Sequence, residues 1–139
     1  MKKTWVAAFA FLAVWTVCLT IITYVEIPTM HKLEWFIHED RTDEMEYVIG
    51  TRDCRTFSRV LQNNSRRVPW NFKMELFVIV TEKVSQGHML CAVHMFGVGW
   101  VYIEPQNDII MVGEASLRAH YEPLWGNITD MGVLEVKGG

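Results

Sequence analysis

Cys54, His88 and Glu104 are the residue types that thiol-based acyl transfer requires, and they occur in that chain order. A thiol becomes a nucleophile when its pKa falls, which a helix N-terminus and a neighbouring base both promote. Thr51-Arg52-Asp53 reads as a helix entry and places Cys54 at or near the first turn. A general base must then come within hydrogen-bond reach of the sulfur, and a third group must orient that base. His88 opens one strand-like run and Glu104 closes the next. A hairpin centred on residue 96, with the loop Met95-Phe96-Gly97 and Gly97 at positive φ, sets these two residues directly opposite each other. Their Cβ atoms would lie ~4.5–5.5 Å apart on one face, and a slip of one residue would separate them. Asp108 is the alternative acid.

These residues need a helix and a sheet to hold them. Phe57, Val60 and Leu61 recur at helical spacing, Asn63-Asn64-Ser65 ends the pattern and Pro69 follows. Met74–Thr81 is rich in β-branched and aromatic residues and reads as a central strand. His88–Met95 and Trp100–Glu104 are the next two strands, and Ile109–Val112 is a further short one. The tail from Gly113 is mixed. One helix followed by an antiparallel sheet defines the α+β class.

Three segments resemble the transglutaminase-like superfamily, which is related to the papain-like fold. Asp53-Cys54-Arg55-Thr56-Phe57-Ser58 looks like its nucleophile motif, Gly87-His88-Met89-Leu90-Cys91-Ala92-Val93 like its Gly-His-Ala strand, and Gly99-Trp100-Val101-Tyr102-Ile103-Glu104-Pro105 like the segment bearing its acid. The intervals of 34 and 16 residues between the three candidates match as well, and the resemblance covers about residues 50–108. Four positions depart from the pattern. Arg52 stands where Gly is usual, Arg55 where an acidic or small residue is common, Met89 where a small residue is common, and Glu104 where Asp is usual. The resemblance implies a Cys54-His88-Glu104 triad acting through a thioester, as a cysteine peptidase or amidase, with hydrolysis preferred to transfer. The Cys54 backbone N–H would be one oxyanion donor. No cofactor is implied. The alternative is an inactive domain of the same fold that binds or assembles proteins at a membrane.

The N-terminus carries a different signal. Thr4 to Val25 holds 22 residues without a charge, and a helix of ~20 residues spans a bilayer core. Trp5 and Tyr24 flank it, Glu26 and Pro28 close it, and no small-residue cleavage site follows. The expectation is an uncleaved signal anchor over residues 1–25, which would hold the chain in the bilayer through residues 4–25. Lys2 and Lys3 would keep the N-terminus cytoplasmic and the domain would be exported. Residues 26–46 would be juxtamembrane, and 47–139 the transglutaminase-like domain.

Composition narrows the remaining classes. Half of the residues are hydrophobic and the net charge is −3. That combination excludes disorder for most of the chain, and no basic face is available for nucleic acid. The partner implied is a protein or peptide substrate. Three cysteines do not make a disulfide scaffold. Cys91 has the opposite strand parity to His88 and reads as core, and a Cys54–Cys91 bridge would silence the site. His94 shares the parity of His88 but lies ~20 Å along the strand, and His31, His38 and His120 are scattered, so no metal site is expected.

Overall fold

The computed structural model describes residues 9–18 and 28–134. The elements in chain order are α1 over residues 9–18, α2 (Met30–Glu39), α3 (Cys54–Ser65), β1 (Glu75–Thr81), β2 (His88–Met95), β3 (Gly99–Glu104), β4 (Ile109–Val112), α4 (Gly113–Trp125) and β5 (Ile128–Val133). The strands form one antiparallel sheet in the order β4-β3-β2-β1-β5. The molecule is thus α+β, with four helices among the described residues.

The N-terminal expectation is corrected. Helix α1 is described over residues 9–18. Among the described residues no helix is long and apolar enough to cross a membrane. The transmembrane signal anchor, the single-pass placement with a cytoplasmic N-terminus and an exported domain, and the bilayer contact through residues 4–25 therefore have no support. The parts of that span at 4–8 and 19–25 lie outside the described residues.

Helix α2 falls in the segment expected to be juxtamembrane, and it packs into the core. Thr29 caps it by accepting from Lys32 N–H, and Leu33, Phe36 and Ile37 are buried. These three side chains meet Leu61 of α3, Phe72, Met74 and the odd-numbered residues Cys91, Val93 and Met95 of β2. The even-numbered Leu90 and Ala92 face the opposite layer, against Leu117 and Tyr121 of α4. The period-two alternation of a strand thus sorts β2 between two cores, and both of its faces are covered.

The β2–β3 hairpin is shifted from its expected register. Met95 pairs with Gly99 and Cys91 with Ile103, so the loop is Phe96-Gly97-Val98 and the centre is residue 97. Met95 C=O accepts from Val98 N–H across the turn, and Gly97 has φ of 73°, a region open to glycine. His88 and Glu104 are consequently diagonal neighbours and not a directly opposed pair. The shift moves the partner by two residues, an even number, so both stay on one face. Diagonal Cβ atoms are ~7–8 Å apart, which long side chains can still bridge.

Candidate active site

Helix α3 begins at Cys54 because Asp53 caps it. The Asp53 carboxylate accepts from the backbone N–H groups of Arg55 (3.1 Å) and Thr56 (3.3 Å), satisfying two donors that a helix start leaves open. Arg55 closes back on the same carboxylate at 3.0 Å. One turn on, Ser58 is fully buried, and its hydroxyl donates to Met89 C=O at 3.0 Å. A residue this small lets α3 lie close on β2 and brings Cys54 to the beginning of that strand.

The three expected residues converge there. His88 Nε2 lies 2.5 Å from Glu104 Oε2, and both side chains are buried. His88 is also the group that acts most strongly on the Cys54 thiol, lowering its pKa. Since Nε2 is taken by Glu104, the nitrogen left for the sulfur is Nδ1. The Met89 backbone N–H also favours the thiolate. Glu104 Oε1 accepts from Gln106 N–H at 3.3 Å. Asp108, the alternative acid, lies elsewhere. It sits in the β3–β4 turn with φ of 59°, and its charged neighbours are Asp40, Asp43 and His38.

The electrostatics follow from these contacts. The hydrogen bond from His88 holds the Cys54 thiol below its usual pKa, against the opposing effect of partial burial; Met89 N–H and the imidazolium charge add to the lowering, and the Asp53 carboxylate works against it. The helix N-terminus favours the thiolate in the same sense. Burial disfavours a charged His88, but its hydrogen bonds to the Cys54 sulfur and to Glu104, with the charges they carry, outweigh this and raise it to about 9. Burial pushes Glu104 upward, and the contacts from His88, Tyr121 and Gln106 bring it below the usual carboxylate range. At neutral pH these directions favour a thiolate–imidazolium pair beside an ionised carboxylate.

Two residues at the site were not anticipated from sequence. The Tyr121 hydroxyl donates to Glu104 Oε2 at 2.5 Å, and Trp125 sets its edge against the His88 ring at a centroid distance of 5.0 Å. Both come from α4. Tyr121 and Trp125 stack on each other, with centroids 5.0 Å apart and planes 24° from parallel. The loop after α4 is tied to the loop after β1, since Lys83 N–H donates to Trp125 C=O and the Asn127 side-chain amide donates to Glu82. Their four-residue spacing was visible, but nothing local says that this stretch folds back onto His88.

The thiol opens into a groove of about 480 Å³. Tyr47 and Ile49 form part of its wall from the loop before α3, Val78 and Val84 contribute from β1 and the loop after it, and Gln86 adds a side-chain amide. The loop is braced by reciprocal backbone bonds between Val48 and Arg52. Neither arginine bears an unpaired charge, because Arg55 pairs with Asp53 and Arg52 lies 3.7 Å from Glu46. A second groove of about 500 Å³, lined by Lys73, Glu75, His94 and Trp100 among others, has no cysteine or hydroxyl side chain among its described lining residues. Chemistry therefore selects the groove at Cys54. Among the described residues, no three His, Cys, Asp or Glu side chains gather around a common point for a metal.

No family model matches the chain, and no curated protein does. One solved structure, described as "PSL1a-E64 complex", is similar over 60% of this chain and 34% of that one, with 17% identity and a TM-score of 0.48. The chain spans about a third of that structure's length, and so loose a likeness carries no argument. The comparisons give no support to the labels transglutaminase-like, cysteine peptidase or thiol protease that the motifs suggested.

Proposed function

We propose that the protein is a cysteine-dependent hydrolase or acyltransferase acting on amide or peptide bonds. The observation that supports this reading best is the continuous chain of contacts from the Cys54 thiol through His88 to the buried Glu104, open to a groove at its sulfur end. The motif resemblance around the same three residues points the same way. In this reading the Cys54 thiolate attacks the substrate carbonyl carbon and forms a tetrahedral oxyanion. As the N1 residue of α3, Cys54 has a backbone N–H without an intrahelical acceptor, directed to where that oxyanion forms. Gln86 is the side chain in the groove suited to be a second donor. His88 passes its proton to the leaving amine as the C–N bond breaks, leaving a thioester. Water, deprotonated by His88, then releases the acid and restores the thiol, or an amine takes the acyl group instead.

The test is the pH dependence of Cys54 alkylation by iodoacetamide in the full chain carrying Cys91→Ser, with and without His88→Ala. The expected result is a thiol that reacts well below the unperturbed value near ~8.5, with the His88→Ala variant returned to that ordinary range. A slow thiol that titrates normally in both proteins would leave a protein-binding domain in place of an enzyme.

A further inference from the structure

We infer that Tyr121 is a positioning residue of this site, holding Glu104 in the one orientation that serves His88. The inference rests on the thiol–imidazole–carboxylate reading above. It starts from a geometric problem. The hairpin register makes His88 and Glu104 diagonal neighbours, a longer span than a directly opposed pair must bridge. Glutamate covers the span with one methylene more than aspartate, at the cost of an additional rotatable bond. A carboxylate on that longer arm orients an imidazole only if something fixes its rotamer.

The structure holds this carboxylate at both oxygens. Gln106 N–H reaches Oε1 from the β3–β4 turn, while the Tyr121 hydroxyl and His88 Nε2 share Oε2. Tyr121 is itself immobilised, being 1% exposed, packed with Leu117 in the α4 layer and stacked on Trp125. The groups facing Glu104 are therefore His88 from β2, Tyr121 from α4 and a backbone amide from its own turn. Tyr121 does not line the groove, and its ring also packs against His88 with centroids 5.6 Å apart; Tyr121→Phe keeps that ring contact, so the variant reports on the hydroxyl that holds Glu104. Donation by a phenol also keeps the carboxylate ionised, which is the form that accepts from an imidazolium.

The experiment compares Tyr121→Phe, Glu104→Asp and the double variant, each in the full chain with Cys91→Ser. The readout is the pH profile of Cys54 alkylation, with thermal unfolding measured alongside. Tyr121→Phe is expected to slow alkylation near pH 6.5 by roughly tenfold and to move the thiol's titration toward the ordinary range. In the Glu104→Asp background the shorter arm withdraws the carboxylate from the hydroxyl, so Tyr121→Phe adds no further loss. A wild-type profile in Tyr121→Phe, or an equal loss in both backgrounds, overturns the inference. If Tyr121→Phe does not fold, the wild-type proton spectrum decides. A slowly exchanging, downfield phenolic proton that disappears in Glu104→Gln supports the contact, and its absence refutes it. Failure of the underlying reading is separately visible, because His88→Ala would then leave the profile unmoved.

Discussion

Helix α3 and strand β2 carry two thiols and treat them in opposite ways. Cys91 is fully buried in the α2–α3 layer, where its thiol donates to Ser58 C=O at 3.1 Å and burial pushes its pKa up. Cys54, one helical turn before Ser58, is only half-buried, and its contact with His88 pulls its pKa down. The same pair of elements thus yields an inert thiol in its interior and an activated one at its end. Position relative to a helix N-terminus and a buried base makes the difference. The two sites also differ in what surrounds them. Apolar side chains close the layer around Cys91, whereas the α4 layer carries a buried polar group, Glu104, with its donors.

The sharpest way to break this comparison is chemical. Iodoacetamide should label Cys54 in the native protein at least about 10³-fold faster than Cys91, because reaching Cys91 requires opening a core whose total stability is of order 5–15 kcal/mol. Mass spectrometry of a time course gives the ratio, and similar rates for the two thiols would end the contrast. Next in size, Leu33→Ala removes a fully buried side chain of α2 and should cost about 2–5 kcal/mol in urea unfolding. Its Cys54 alkylation profile should stay unchanged, and a shifted profile would mean that the two layers are not independent. The smallest effect concerns Asp108. Burial, together with the carboxylates of Asp43 and Asp40, raises it to about 6, against ~3.9 in the unfolded chain. The stability associated with its protonated form is therefore present below the unfolded value and lost as the pH rises through about 6. Asp108→Asn, with a residue that tolerates positive φ, should stabilise the fold at pH 7.5 by about 1 kcal/mol after allowance for partial exposure. The gain should vanish near pH 4, and a gain that is constant with pH would count against this origin.

Much of the site was legible because its determinants are local. Asp53 before an amphipathic run marks the start of α3, and the apolar runs on either side of Gly97 mark β2 and β3. The parity of that hairpin places His88 and Glu104 on one face in either register, which is why an error of one residue in its centre did no harm. The contribution of α4 was hidden for physical reasons. The helix begins at a glycine, lacks a side-chain cap and contains Pro123, each a signal against helix. Strand β5 holds Asp130 and Gly132 and has only Ile128 buried, so no apolar pattern announces it, and its pairing with β1 at the far edge is non-local. Leu33, Phe36 and Ile37 lie at helical spacing, but only packing distinguishes a core helix from one lying at a membrane surface.

The strand order β4-β3-β2-β1-β5 also sets a timetable for synthesis. Thiol, imidazole and carboxylate have all been made once residue 104 is added, yet the outer neighbour of β1 and the helix that covers His88 and Glu104 come from residues 113–133. A nascent chain emerging from a ribosome therefore carries every reactive group long before the surroundings that tune them exist. Topology thus defers completion of the candidate site until residues 113–133 have been added.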